Sequence, residues 1–370
     1  LTERSLVSMA ILCRNLRCVN LSKVPEITDR FLLVAAGLPL LSELNLANNE
    51  HITDENVILL AQSPCGSTLT TLNLAWCVNL TDASVLAIAE HCANLQHLNL
   101  DSSLQAVEGP VGLEVGGRTL VTADSVAVLA ARCVHLVSLN VANVIGVNDS
   151  TVAAIAQHCR KLHHLNLYGC SLITNAAMES ISQHCIRLRT LNVSCCRKLT
   201  KLPGLSNCLY LQQLNIKGCI DMQRGSITIL LRSCSYLTDL NMQGCVLVND
   251  SVVQACKELR RINISGCPLV SDESVQYIVI WSKLLRNLNI LGCTGLSAQC
   301  ISFVLSRTHI QVVVGARQLA LSNHFNGGED EDQSMGDSDG SEESDESDGD
   351  GSDSDNDSVF DVDESWAGNI

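Results

Sequence analysis

Apolar residues recur along this chain in a fixed nine-position phrase, apolar-x-x-apolar-x-apolar-x-x-Cys. Clear copies are LTTLNLAWC (69–77), LHHLNLYGC (162–170), LQQLNIKGC (211–219), LTDLNMQGC (237–245) and LRRINISGC (259–267). Positions four and six are apolar while three, five and seven are polar or small, the two-residue period of a strand with one buried face. An Asn holds the fifth position at residues 20, 45, 73, 99, 140, 166, 192, 215, 241, 263 and 289, with a basic spacing of 26. Between phrases the spacing becomes helical. In 162–185 a strand around His164–Tyr168 leads into a turn through Gly169 to Ile173. A helix follows from Thr174 to about Cys185, with Ala177, Met178 and Ile181 inward. One strand and one helix per unit cannot bury their apolar faces alone, so units must stack. The expected architecture is an α/β solenoid, a horseshoe of about eleven strand–helix repeats with one parallel concave sheet.

Local signals agree with that period. Eight residues after the Asn comes a helix-capping type: Thr28, Thr53, Thr81, Asn148, Thr174, Thr200, Asn249, Ser271 and Ser297. An acid often follows, as at Asp29, Asp54, Asp82, Asp149, Asp250 and Asp272, where it meets the positive end of the helix dipole. These recurring acids read as local structure, not as catalytic carboxylates.

Two intervals break the period. Asn99 and Asn140 are 41 residues apart, and the excess, Asp101 to about Arg118, is rich in Gly. It predicts a rim loop, 101–118, standing above the concave face. Asn192 and Asn215 are only 23 apart, and Pro203-Gly204 replaces a regular helix there. The solenoid is expected to close near Val312–Val314, with a cap reaching Phe325. That gives a first domain of 1–325. Residues 326–370 form a second segment, low in complexity and nearly devoid of apolar side chains, expected to be disordered. Ser334, Ser347, Ser352, Ser354 and Ser358 each carry an acid three positions on, a spacing suited to acidophilic kinases. Val359, Phe360, Val362 and Trp366 return apolar side chains among acids at the end, in the manner of a short docking motif.

Charge divides the same way. The net charge of −15 arises in the tail, where residues 329–364 hold 18 acids and no Lys or Arg. The remainder carries 24 basic against 21 acidic residues and gives no field argument for nucleic-acid binding. No apolar run of about 18 residues exists to span a membrane, and no signal-peptide pattern opens the chain. The 19 cysteines sit at repeat-equivalent positions. Cys77, Cys170, Cys196, Cys219, Cys245, Cys267 and Cys293 lie four residues after the Asn. Cys13, Cys92, Cys133, Cys159, Cys185, Cys208, Cys234 and Cys256 lie seven before it. Small free thiols packed at tight corners imply a reduced, metal-free monomer in the cytoplasm or nucleus. His91-Cys92, His158-Cys159 and His184-Cys185 share one helix-end position, so packing is preferred to zinc ligation. No nucleophile elbow, P-loop, HExxH or paired-carboxylate motif occurs. The reading is a non-enzymatic protein with no cofactor and no metal.

The remaining chemistry lies on the concave face. Alternation turns positions three, five and seven toward a protein partner. Those rows, with the corner beside them, give the candidate binding residues Trp76, His97, Asp101, His164, Tyr168, Lys217, Gln243 and Arg261. Tyr, Trp and Arg are favoured interface anchors, and aromatic residues are only 3% of this chain.

The repeats LNLAWCVNLTDASVLAIAEHCANL (72–95) and LNLYGCSLITNAAMESISQHCIRL (165–188) resemble the cysteine-containing subclass of leucine-rich repeats. That subclass is typical of F-box/leucine-rich-repeat proteins, the substrate receptors of SCF-type ubiquitin ligases. The resemblance covers residues 1 to about 315. It implies a substrate-recognition role in ubiquitin-dependent degradation, with the repeats holding the target and an F-box recruiting the ligase adaptor and cullin. No F-box lies within the chain, so one is expected before Leu1, or the protein is a repeat-only relative. Two other readings remain: a structural scaffold of the axonemal or cytoskeletal kind, or an acidic-tailed nuclear leucine-rich-repeat regulator.

Overall fold

The computed structural model describes residues 11–24, 29–102 and 121–316, with Ser8 and Leu319 singly. The rim loop from residue 103 and the whole acidic tail, with its five serines, lie outside the described residues.

Twelve three-residue strands form one sheet: β1 Cys18–Asn20, β2 Glu43–Asn45, β3 Thr71–Asn73, β4 His97–Asn99, β5 Ser138–Asn140, β6 His164–Asn166, β7 Thr190–Asn192, β8 Gln213–Asn215, β9 Asp239–Asn241, β10 Arg261–Asn263, β11 Asn287–Asn289 and β12 Gln311–Val313. Every pairing is parallel and the spatial order is the chain order. The register places equivalent positions side by side, as in His97↔Ser138, Ser138↔His164 and Asp239↔Arg261. The chain is a leucine-rich-repeat solenoid. The twelfth strand carries Val313 where the others carry Asn, so the Asn count stopped at eleven.

The convex side is built by α1 Asp29–Ala36, α2 Asp54–Gln62, α3 Asp82–His91, α4 Ala123–Arg132, α5 Asp149–His158, α6 Asn175–His184, α7 Arg224–Ser233, α8 Asp250–Ala255, α9 Asp272–Trp281 and α10 Ala298–Leu305. The core is a leucine ladder: Leu72, Leu98, Leu139, Leu165 and Leu191 are fully buried between sheet and helices. Between β7 and β8 only a 3-10 turn, Leu205–Asn207, occupies the helix layer, entered through Gly204 at φ +69. Thr200 therefore caps no helix, contrary to its sequence position. Its amide and hydroxyl bond the Asn175 side chain instead, at 3.1 and 3.0 Å.

Three hydrogen-bond ladders join the coils. In all eleven Asn repeats the side-chain Oδ1 accepts the amide two residues on, at 3.0–3.1 Å. Asn73 through Asn289 are buried. This corrects the expectation that the fifth row looks toward a partner, since its polarity is consumed by the backbone at the sheet edge.

The corner thiols form the second ladder. Cys77 donates to the Leu46 carbonyl one coil back, Cys170 to Val141, Cys196 to Leu167, Cys219 to Val193, Cys245 to Ile216, Cys267 to Met242 and Cys293 to Ile264, at 3.1–3.6 Å. Asn49 does the same with Nδ2, 2.9 Å from the Leu21 carbonyl. That explains why Asn and Cys interchange at this position. Burial pushes the Cys77, Cys170 and Cys219 thiols up to about 12, so they remain protonated donors at neutral pH. The helix-end thiols Cys92, Cys133, Cys159, Cys185, Cys208, Cys234 and Cys256 are buried C-caps. Cys13, expected with them, is exposed. Among the described residues no earlier strand pairs with β1 to cover its coil.

The third ladder uses the acids at the helix starts. Five of them, Asp54, Asp82, Asp149, Asp250 and Asp272, reach across to the cap of the next coil and accept both its amide and its hydroxyl, whereas Thr53 gives its own to Asn56. The amide distances are 2.9 Å from Thr81 to Asp54, 2.7 Å from Thr122 to Asp82, 2.7 Å from Thr174 to Asp149, 2.8 Å from Ser271 to Asp250 and 2.8 Å from Ser297 to Asp272. The acids are thus staples between repeats as well as dipole partners. The caps themselves accept first-turn amides at Thr81, Asn148, Thr174 and Ser297.

Candidate functional site

The concave sheet presents two rows of side chains, about 13 Å apart along each strand and about 4.8 Å apart between strands. The third-position row runs Cys18, Glu43, Thr71, His97, Ser138, His164, Thr190, Gln213, Asp239, Arg261, Asn287, Gln311. The seventh-position row contains Ala75, Asp101, Ala142, Tyr168, Ser194, Lys217 and Gln243.

Four of the candidates frame one depression. Repeat 5 contributes only Ser138 and Ala142, 3% and 1% exposed, so its part of the face is sunk. His97 and Asp101 stand on one side, and His164 and Tyr168 on the other, two strands or about 10 Å away. The pattern of alternating residues gave the four but not the hollow between them. Its signal is a small pair at equivalent positions, which repeat 7 shares on the far side of His164 and Tyr168, where Thr190 and Ser194 are buried as well.

The imidazoles differ from solvent histidines. Burial lowers the pKa of His97, against the opposing pull of Glu43. Burial, then the neighbouring His163, His97 and Arg189, pushes His164 down to about 4. Its Nδ1 lies 3.1 Å from the Thr190 Oγ1. At neutral pH the depression is therefore lined by neutral rings with Asp101 and Tyr168, a lining suited to polar and aromatic side chains of a protein.

The other candidates separate. Arg261 makes a two-pronged ion pair with Asp239, one prong Nη2–Oδ2 at 3.0 Å and the other Nε–Oδ1. Thr238 adds a hydroxyl to the same carboxylate at 2.9 Å. Arg261, a candidate contact of the concave face, is neutralised by Asp239, because in-register parallel pairing sets consecutive third positions side by side. Gln243 accepts from Asn263 at 3.4 Å. Lys217 lies in the seventh row two coils beyond Tyr168. Trp76 is not on the face at all. It occupies the corner in the left-handed region, φ +62, where Gly169, Gly218, Gly244, Gly266 and Gly292 stand in later repeats. Its amide donates to the Asp101 carbonyl at 2.9 Å. Trp76 lines a small pocket with Leu100, Asp101, Ser102 and Val121. Asp101 and Ser102 also belong to the regular coil, since the Ser102 amide bonds the Ala142 carbonyl at 3.0 Å. Asp101 and Ser102 are therefore part of the coil rather than of the insertion expected from Asp101 on.

Among the described residues no group of three or more His, Cys, Asp or Glu is arranged to hold a metal. Among them, too, no helix is long and apolar enough to cross a membrane.

The fold and its concave sheet define a leucine-rich-repeat protein-interaction solenoid. The family model described as Leucine Rich repeat matches residues 37–61 and 67–89. DNA repair protein rhp7 of Schizosaccharomyces pombe is 30% identical over 125 residues, 34% of this chain. The chain spans 22% of the length of that relative. A chain in the crystal structure of the Rad7 and Elc1 complex in yeast is similar with a TM-score of 0.57 at 15% identity, over 86% of this chain and 90% of that one. An internalin (inlF) from Listeria monocytogenes is similar with a TM-score of 0.49 at 15% identity, over 86% of each chain.

Proposed function

We propose that this solenoid is the substrate-recognition part of an SCF-type ubiquitin ligase, holding its protein target on the concave face between His97 and Lys217. The observation that carries the reading is the depression framed by His97, Asp101, His164 and Tyr168. It is a preformed, largely neutral hollow with an aromatic anchor on a rigid sheet, and such places concentrate binding energy. The ligase link is supported by the resemblance of the repeats to F-box/leucine-rich-repeat receptors. The likeness to a DNA repair protein, rhp7, favours a nuclear target over an axonemal or cytoskeletal one. In this reading the chain contributes position and not chemistry: it performs no catalytic step and needs no cofactor.

The test is quantitative affinity capture from cells with the full-length protein, run beside Tyr168→Ala and His97→Ala. Ligase adaptor and cullin subunits should be recovered equally by all three. One or more further proteins should fall at least tenfold in the variants, the loss expected of anchor residues worth about 2 kcal/mol or more. Arg261→Ala, whose charge is already engaged by Asp239, should cost only a few-fold. Absence of adaptor and cullin from every capture would refute the ligase assignment. Unchanged target recovery in both face variants would refute the site.

A further inference from the structure

The solenoid has two long edges of opposite sign. One edge is formed where strands end and helices start, and acids predominate on it: Asp54, Asp82, Asp124, Asp149, Asp250, Asp272 and Glu273, against Lys23 and, in repeats 7 and 8, Arg197, Lys198, Lys201 and Arg224. The other runs from the last turn of each helix to the start of the next strand. From repeat 5 to repeat 11 it exposes ten cations: Arg132, Arg160, Lys161, Arg187, Arg189, Arg232, Lys257, Arg260, Lys283 and Arg286. The carboxylates in the same stretches are Glu258 and, at the first residue of β9, Asp239, which pairs with Arg261. Among the described residues, none of the ten lies within ion-pair distance of a carboxylate. Helix dipoles account for a cation in the last turn, but eight of these ten lie beyond it, in the connections and at the strand starts.

The same edge is apolar at its centre. Ile186, Leu209, Tyr210 and Tyr236 are each more than half exposed. The Tyr210 and Tyr236 rings stack 6.0 Å apart at 27°. The surface is therefore an aromatic centre with cations on both sides, Arg187 and Arg189 before it and Lys257, Arg260, Lys283 and Arg286 after it.

We infer that this edge binds the chain's own acidic C-terminal segment, residues 329–366. The two are complementary in charge and in order. The segment carries 18 acids without a cation and then the apolar residues Val359, Phe360, Val362 and Trp366. Leaving the solenoid after β12, it meets Lys283 and Arg286 first, then Lys257 and Arg260, and then the tyrosine pair, so acids pass cations before the apolar end reaches Tyr236 and Tyr210. Reach is sufficient. Four strand spacings separate β12 from β8, about 19 Å, and crossing from the strand-end edge to the strand-start edge adds about 15 Å, the length of a ten-residue helix. The chain from 317 to 358 extends well beyond about 100 Å. Covalent attachment supplies an effective concentration in the millimolar range, which lets a weak polyacid contact persist in a single molecule. Phosphates at Ser334, Ser347, Ser352, Ser354 and Ser358 would each add roughly −1.5 to −2 charges and tighten it. The concave face stays open, so the contact is compatible with target capture but competes with any other polyanion for this edge.

Zero-length carbodiimide coupling of carboxylates to lysines tests this on the full chain, using a mixture of light and heavy isotope-labelled protein. Links from residues 329–364 should fall on Lys161, Lys257 and Lys283, at least fivefold above those on Lys198, Lys201 and Lys217. They should join light to light and heavy to heavy, and vanish at 1 M salt, where the Debye length is about 3 Å. Charge reversal at Arg187, Arg189 and Arg260 (each →Glu) should lower the yield several-fold at an unchanged urea midpoint. If that variant misfolds, Phe360→Ser with Trp366→Ser, outside the repeats, must lower it instead. An even spread over all lysines, links only between isotopes, or insensitivity to salt would overturn the inference. So would a labelled single-stranded oligonucleotide that binds through these arginines without displacing the links, because the edge would then be a nucleic-acid surface.

Discussion

Replacing Asp54 separates geometry from charge in the staples that join successive coils. Its carboxylate accepts the Thr81 amide at 2.9 Å and the Thr81 hydroxyl at 2.6 Å, and also takes the Ser84 hydroxyl. Asp54→Ala leaves all three donors without a protein acceptor. Buried hydrogen bonds to a charged acceptor are worth about 1.5–3 kcal/mol each, but this site is half-buried and water replaces part of the loss, so the expected cost is about 2 kcal/mol. The protein already contains the control for Asp54→Asn. At Asn175, Oδ1 takes the amides of Thr200 and Lys201 at 3.1 and 2.9 Å, while Nδ2 donates to the Thr200 hydroxyl at 3.0 Å. An amide can therefore hold the same fork with the hydroxyl reversed, and Asp54→Asn should cost only about 0.5–1 kcal/mol.

The pH dependence follows from the same contacts. Burial pushes the Asp54 carboxyl up, but the hydrogen bonds from Ser84 and Thr81 outweigh it and leave its pKa below the ordinary value. A carboxylate with a lowered folded pKa contributes its full stabilisation above the unfolded value of about 3.9 and loses it as pH falls through the folded one. Wild type and Asp54→Asn should therefore differ at pH 7 and converge as pH falls through the lowered folded pKa of Asp54. The assay is urea unfolding together with native-state hydrogen exchange. Because stability in a solenoid is a sum of coil and neighbour terms, faster exchange should be confined to α2, α3 and the strand between them, β3. Two results would refute the reasoning: Asp54→Asn as damaging as Asp54→Ala at pH 7, or a gap to wild type that does not shrink in acid. Asp250, held low by Ser274 and Ser271 against its own burial, gives an independent repeat of the test.

Three other outcomes follow from single features. With His164 pushed down to about 4 in the folded chain and near 6.5 when unfolded, the unfolded state takes up the proton first. Stability should therefore fall as pH drops from about 6.5 to 4, and His164→Gln should flatten that slope in a urea-midpoint series. Leu165 is fully buried in β6, so Leu165→Ala should cost about 2–5 kcal/mol; a loss below about 1 kcal/mol would mean the ladder can collapse around the gap. Deleting 103–118 leaves Asp101 and Ser102 of the regular coil in place, and the urea midpoint should hold while target capture weakens. Unfolding of that variant would assign the insertion to the core.

The solenoid was legible because its period is written in residues whose roles are local. Leu at the fourth and sixth positions, the capping Thr and Ser, and the corner Cys each act within one coil or on the coil before it, so a one-dimensional pattern suffices. What the pattern missed depends on neighbours across coils. Thr200 has the spacing of a cap, yet Pro203-Gly204 leave no helix to cap. The Asn row alternates onto the concave face but turns its side chains into the backbone. Asp239 and Arg261 are 22 residues apart in sequence and become one ion pair only through strand register. Thr122 caps α4 at the far side of the insertion, where counting from Asn99 cannot reach it. The depression at Ser138 and Ala142 is likewise a relation among three repeats, visible only once their strands are set side by side.

Trp76 joins the regular coil to the insertion. Its backbone holds the left-handed turn that glycine adopts freely in five other repeats. A side chain there costs about 1–2 kcal/mol, a cost also carried at Lys23, Asn48, Asn143 and Cys195. The pocket neighbours of Trp76 show where its indole sits. Ser102 and Val121, which flank the segment 103–120 in the chain, both line the pocket with Trp76. The indole therefore packs at the root of the insertion, where the chain leaves and rejoins the solenoid, rather than in the rows that face a target. If it governs binding through the insertion, Trp76→Gly and deletion of 103–118 should each weaken target capture without adding. The double variant should then be no worse than the deletion alone, with a coupling of about 0.5–3 kcal/mol. Additive losses would place the indole in direct contact with the target.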